Sequence, residues 1–322
     1  MRSMTNFQHL VIDERIGGRV GGVHGPRELL FWGAGTPVPT RMPEKLDYRH
    51  AQRFATRQAR EIAGELYPGP VLMPRGMLRA LDPVLAVAMG PARLRREAFR
   101  IALQQALRGR PDGPLMLALW SSATAGEIDH PLVLELMDRM PEPMPDAPAT
   151  RAELLEELRP RVELVARWAL RLAQRDQDAA IGPATHLGCG LVLTRLLADL
   201  PQHLSAGKVP LPAEDLAAAG ATPEDLVAGV RTPVVNEFLS RQVDWTRSLL
   251  HDGLPVCDAV GSRLARGLRA AVLRARHLLD QVGDPQCDLF RRRPTISKQV
   301  RLRCAVRAWW PVRADSPQPP SA

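Results

Sequence analysis

The chain has 322 residues, of which 45% are apolar and only 4% aromatic, enough for one large helical domain or two smaller ones with a real core. Leu and Ala do most of the filling, which favours helix over sheet. The net charge of +8, from 43 basic and 35 acidic residues, fits a surface that attracts anionic lipid, phosphorylated ligands or nucleic acid, or simply a genome that writes Arg for Lys; aromatics are too scarce for base-stacking platforms, so nucleic acid ranks low as a partner.

Residues 1–45 read as a flexible leader or a transit segment. Gly17, Gly18, Gly21, Gly22 and Gly25 break any periodicity, and Arg2, Arg15, Arg19, Arg27 and Arg41 supply positive charge. Asp13, Glu14 and Glu28 argue against a transit peptide. The order GGRVGGVHG is not that of a dinucleotide or phosphate loop, and no strand precedes it. From Tyr48 the pattern turns helical. Helices are expected over 48–65, 75–89, 91–108, 113–124 and 130–140, with Asp82 before Pro83 and Asp129 before Pro131 as N-caps. A Pro-rich loop, PEPMPDAPA, covers 141–149. A long helix starts at Thr150, where Thr150 and Glu153 form a capping box, and Pro160 should kink or split it. Residues 183–200 read as a buried helix, 201–213 as a loop, 222–230 as a short helix, and 232–252 and 256–283 as two long ones. The helical domain thus spans 46–310, and the Pro/Ser-rich tail 311–322 reads as disordered. No segment has strand period, so the fold class is all-α.

Cys189, Cys257, Cys287 and Cys304 form no CxxC pair, which excludes a zinc ribbon or a thioredoxin-like motif and fits a reducing compartment. No stretch approaches the ~18 apolar residues expected of a membrane-spanning helix.

The most informative stretch is His186–Pro212, HLGCGLVLTRLLADLPQHLSAGKVPLP. It resembles the second signature of the squalene and phytoene synthase family, LGxxxQLTNILRD, then an acidic pair, then a short basic loop ending in GRxYLP. Leu187-Gly188, Thr194, Leu197 and Asp199 keep the frame of the helix; Gly207-Lys208 and Leu211-Pro212 keep that of the loop. The resemblance implies an isoprenoid-synthase-like helical bundle. It also implies a site in which acidic motifs on two facing helices bind Mg²⁺, which in turn ionises an allylic diphosphate. The working positions of the second motif would be 192, 195, 199, 202 and 203, near enough to helical spacing to share one face. Gln, Asn, Asp, Glu and Asp are expected there. The chain has Val192, Arg195, Asp199, Gln202 and His203. Arg195 stands one turn before Asp199 and can pair with it. Where the first acidic motif should follow LMPRGMLRALDPVLAVA, the chain reads GPARLRREAF, with Arg93, Arg95 and Arg96 in place of acid.

These departures resemble one branch of that family, the mitochondrial complex I assembly factor 6 type and its bacterial relatives. That branch replaces the second acidic motif with a P-x-H sequence, as Pro201 and His203 do here, followed by Lys208-Val209 and Leu211-Pro212. The segment DLFRRRPTISKQVRLRCAVRAWW resembles its closing helix. The resemblance implies a non-catalytic assembly factor for respiratory complex I, without a metal or other cofactor, on the matrix side of the mitochondrial inner membrane or in a bacterial cytoplasm. Its partners would be complex I subunits or other assembly factors, with peripheral membrane contact. The alternative is a divergent prenyltransferase acting on an allylic diphosphate, with arginines in place of metal. In either case Arg93, Arg96, Arg195, Asp199, His203 and Lys208 are the residues expected to meet a ligand or partner. For each a plainer role exists: the Arg93–Arg100 cluster as a solvated face, His203 as a helix-end group. The Trp309-Trp310 pair is expected either to pack at a helix end or to anchor at a membrane surface.

Overall fold

Local capping chemistry sets where several helices begin. The Thr150 hydroxyl accepts from the Glu153 N–H at 3.1 Å, and the Glu153 carboxylate accepts in return from the Ala149 N–H at 2.6 Å. Thr222 and Asp225 form a full capping box, and Thr232 and Ser297 each accept from an N–H three residues on. Each such bond satisfies a donor that the first helical turn leaves open.

The computed structural model describes residues 48–69, 72–89, 96–125, 135, 148–173 and 177–312, all within one compact unit that runs from Pro37 to Ala322. The helices are α1 (Tyr48–Ala63), α2 (Arg75–Met89), α3 (Arg96–Leu107), α4 (Gly113–Ala125), α5 (Arg151–Leu172), α6 (Gln177–Ala198) and α7 (Leu200–Ser205). They continue as α8 (Ala213–Ala219), α9 (Pro223–Val227), α10 (Pro233–Asp252), α11 (Val256–Ala259), α12 (Ser262–Gly283) and α13 (Lys298–Arg307). A 3₁₀ turn, Gly64–Leu66, follows α1. Among the described residues there is no strand. The fold is an all-α helical bundle.

Two cores share one helix. The first lies among α1, α2, α3 and α4. Leu164 and Trp168 of α5 complete it. The second joins α6, α10 and α12 around Leu187, Leu197, Phe238, Leu239, Val272 and Leu278. On its other side α5 packs Leu154, Leu158 and Val162 against Cys189, Leu193 and Leu249. Burying Phe238, fully enclosed, contributes roughly 1.5–3 kcal/mol. Gly188 lets α6 approach α5 closely, since a Cβ there would run into Val162.

The structure departs from the sequence reading at several points. α5 runs unbroken through Pro160. Packing on both sides of the helix holds it against the loss of one hydrogen bond. Asp82 is no cap; it lies inside α2, which continues through Pro83. Residues 201–213 are not wholly loop, because Leu200 and Leu204 are buried and draw residues 200–205 into α7. The helix expected over 256–283 breaks at Val260, which is extended (φ −96°, ψ 159°). Asp178–Ala198 is long and apolar enough, by length and composition, to cross a membrane, contrary to the sequence reading. Its apolarity is accounted for by its place between α5, α10 and α12. The 1–45 leader, most of the helix expected at 130–140 and the tail beyond Val312 lie outside the described residues.

Candidate functional site

The second-signature helix α6 ends on a cluster of charges. Asp199 follows its last residue and is 8% exposed. Arg195, one turn earlier, places Nε 2.7 Å from Asp199 Oδ2. Arg293, from the loop before α13, stands with Nη2 2.6 Å from the other oxygen, Oδ1. This second contact is an ion pair whose angles fall outside those of a hydrogen bond. Burial lowers the pKa of Arg195, the nearby Arg293 lowers it further, and Asp199 opposes both.

The wall opposite Arg195 is the 3₁₀ turn after α1. Gly64 has φ +54° there, and a Cβ on it would run into the Arg195 guanidinium. Glycine is therefore needed twice over: it adopts the left-handed conformation without strain, and it leaves room for the arginine. The next residue, Glu65, pairs with Arg301 of α13. On α7, His203 sits about one turn beyond Asp199; its N–H donates to the Asp199 carbonyl at 3.2 Å and its own carbonyl accepts from Lys208 N–H at 2.9 Å. The His203 pKa is lowered, first by burial and then by Lys208 and Arg195, with Asp199 pulling the other way. The imidazole is thus neutral at neutral pH, able to accept a proton or a hydrogen bond.

The cluster brings together four of the six residues singled out in the sequence: Arg195, Asp199, His203 and Lys208. Arg93 lies outside the described residues. Arg96 opens α3, which packs chiefly against α4, whereas the cluster is built from α6, α7, the Gly64 turn and the two segments flanking Ser297. Three contributors were missed in the sequence: Glu65, Arg293 and Arg301. The only signal for Arg293 and Arg301 was the run of arginines in DLFRRRP and the helix after it. For Glu65 there was none, because its partner is 236 positions away in the chain.

The residues present do not suit the Mg²⁺ that the signature implies. Asp199 is the one acidic group at the second-motif positions, and two guanidinium groups engage it. Gln202 is exposed and His203 is a softer ligand than a hard dication prefers. Among the described residues no group of three or more His, Cys, Asp or Glu could hold a metal ion. The charge balance favours an anion instead. Arg195, Arg293, Arg301 and Lys208 supply four positive charges against the carboxylates of Asp199 and Glu65. Arg293 is 40% exposed, so the cluster is reachable from solvent.

A second buried carboxylate lies on α2. Asp82, 2% exposed, accepts from the Thr56 hydroxyl at 2.6 Å and from the Tyr67 hydroxyl at 3.0 Å. Burial raises its pKa, against the opposing effect of those hydrogen bonds and of Arg60. Burial and Asp82 together raise that of Tyr67. The Tyr67 carbonyl accepts from buried Arg274 at 2.6 Å, which ties α12 to the same turn. Two open concavities lie away from the Asp199 cluster. One of about 990 Å³ runs along Arg49, Arg53, Arg57 and Arg79; one of about 710 Å³ is lined by His186, His251, Asp258 and Arg269.

Comparison with known proteins gives this geometry a context. The model of the family described as squalene/phytoene synthase matches residues 70–300. Phytoene synthase 2 of Solanum lycopersicum is 28% identical over 125 residues, 39% of this chain and 40% of that protein. Phytoene synthase of Thermus thermophilus is 28% identical over 230 residues, 70% of this chain and 76% of that protein. The chain spans less than half the length of the first curated relatives it matches. Among solved structures, a dehydrosqualene synthase superimposes with a TM-score of 0.63 at 18% identity, covering 81% of this chain and 96% of that one. At that identity the likeness establishes the fold alone. The expectation of a non-catalytic assembly factor for complex I is corrected by these relatives, the curated ones being named as phytoene synthases. Losing metal ligands removes one way of neutralising a leaving diphosphate, and guanidinium groups offer another.

Proposed function

We propose, from the premise that the chain belongs to the squalene/phytoene synthase family, that it is a divergent prenyltransferase acting on an allylic diphosphate. The observation that carries this reading is the second-signature helix. It keeps the family frame in register from Leu187 to Pro212 and ends on Asp199 between Arg195 and Arg293, with His203 and Lys208 on the next turn. Arginine suits a diphosphate because its planar fork donates to two oxygens at once. Arg293, the more exposed of the pair, meets the anion first, and Asp199 holds both guanidinium groups in place for it.

The chemistry then asks little more of the protein than placement and charge. The C1–O bond of the allylic diphosphate breaks heterolytically, and its electron pair leaves with the diphosphate. Positive groups already in position stabilise that charge as it develops. The allylic cation left behind is captured by an electron-rich atom of the acceptor, which loses its proton as the new bond forms. Neutral His203, one turn beyond Asp199, is a base that can take that proton.

The test is titration of farnesyl diphosphate into the purified full chain, with and without Mg²⁺, followed by assay of released pyrophosphate and prenyl product. Binding without added metal, weakened about tenfold or more by Arg293→Gln, together with product formation, is the expected result. Turnover that requires Mg²⁺ would overturn the metal-free site while leaving the family's chemistry in place. No binding and no pyrophosphate release with this or shorter allylic diphosphates would overturn the prenyltransferase reading itself.

A further inference from the structure

Seven large hydrophobic side chains stand exposed among the described residues, and four of them fall within nine consecutive positions at the C-terminal end: Leu302 (67%), Val306 (53%), Trp309 (63%) and Trp310 (56%). Leu302 and Val306 are one turn apart on α13, and Trp309 and Trp310 follow Val306 by three and four positions in the turn that ends it, which places the four along one flank. They are not the inner face of the helix. That face is already occupied: Cys304 and Ala308 are buried, and Ala308 packs against Leu72 and Ala270.

The third flank is cationic. Arg303 and Arg307, one turn apart, are exposed beside the apolar strip. Segment 296–312 contains Lys298, Arg301, Arg303 and Arg307 and no acidic residue. The neighbouring helix α12 adds exposed Arg263 and also Arg266, whose guanidinium lies 4.1 Å from the centre of the Trp309 ring. Helix α13 therefore has three sectors: buried, apolar-exposed and basic-exposed. Tryptophan beside arginine on a helix surface suits the boundary between lipid headgroups and acyl chains. There the ring buries its apolar body and the cation meets phosphate. The one-sided positive charge here is complementary to an anionic surface.

We infer that the outer flank of α13, through Leu302, Val306, Trp309 and Trp310 with Arg303 and Arg307, docks the protein peripherally on an anionic lipid bilayer. Arg301, on the same helix, pairs with Glu65 beside Gly64, so α13 carries this surface and also contributes to the Asp199 cluster. The inference stands on the exposed flank alone and does not depend on the prenyltransferase reading.

The experiment is cosedimentation of the full chain, without substrate, with vesicles of phosphatidylcholine alone or of phosphatidylcholine mixed with phosphatidylglycerol. Preferential pelleting with the anionic vesicles, reduced by added salt, is expected, along with a blue shift of tryptophan emission. Trp309→Ser with Trp310→Ser, and separately Arg303→Gln with Arg307→Gln, should each weaken partitioning by about tenfold or more. All four side chains are exposed, so both double variants should keep the wild-type circular dichroism and melting profile. Absence of pelleting by the wild type, or equal pelleting by the tryptophan variant, would overturn the proposal. So would size-exclusion behaviour in which the tryptophan pair governs self-association and vesicle binding is absent.

Discussion

Asp82 on α2 and Asp199 at the end of α6 are both buried carboxylates, 2% and 8% exposed, yet their neighbours treat them oppositely. Asp82 is held by two neutral hydroxyls, Thr56 and Tyr67, and burial raises its pKa. Asp199 is held by two cations, Arg195 and Arg293. The hydroxyls bring no charge to Asp82, whereas the two guanidinium groups set two positive charges against the Asp199 carboxylate. The first arrangement is a structural tie between α1, α2 and the turn at Tyr67. The second is a charged cluster, and under the proposed function it is where the diphosphate binds.

That contrast can be broken most directly by one substitution made twice. Asp199→Asn removes the charge facing two partly buried guanidinium groups and should destabilise the fold by about 3 kcal/mol, the lower end for a broken buried pair because Arg293 is partly exposed. Asp82→Asn keeps an acceptor for the hydroxyls and should cost only about 1 kcal/mol. Urea denaturation of both variants at neutral pH measures this, and equal costs would erase the distinction. Gly64→Ala should cost about 1–2 kcal/mol from its positive φ and displace Arg195. If the cluster holds diphosphate as proposed, this change should also weaken ligand binding.

Proton linkage sharpens the same comparison at smaller scale. A carboxyl whose pKa is raised in the folded state holds its proton more tightly there than when unfolded. Its contribution is therefore greatest in acid and declines as pH rises above the unfolded value near 3.8. The wild type should lose stability relative to Asp82→Asn as the solution is taken from acid towards neutrality. His203 has the opposite sign. Its folded pKa lies below 6.5, so the unfolded imidazole takes up its proton first and stability falls as pH drops below that value. The loss is complete once pH passes the folded value. The effect should be under about 1 kcal/mol, since the ring is only partly buried. His203→Gln should flatten that arm of the stability–pH profile.

Much of the Asp199 device was legible beforehand. The spacing of Arg195 and Asp199 is a helix turn, and any helical reading of LVLTRLLAD pairs them. The retained frame from Leu187 to Pro212 also placed this helix in its family. By contrast, the pairing of Asp82 with Thr56 and Tyr67 crosses from α1 and its following turn to α2, and Asp-Pro imitates a helix start so well that the residue read as a cap. The assembly-factor expectation went astray for a related reason: a list of missing acids says nothing about which bases have come together in their place.

Helical period, capping residues and the Leu/Ala-rich composition determined by themselves that this chain is an all-α bundle, where most of its helices begin, and which family frame it carries. These are properties of neighbours in the chain, separated by one to four residues. Only the tertiary structure decided that Arg293 and the Gly64–Glu65 turn would join Arg195 and Asp199, that Asp82 would be sheathed in hydroxyls, and that the strip from Leu302 to Trp310 would be left outside the core. Those outcomes depend on contacts between residues far apart in sequence, set by how the two cores close around α5, and no local pattern encodes them.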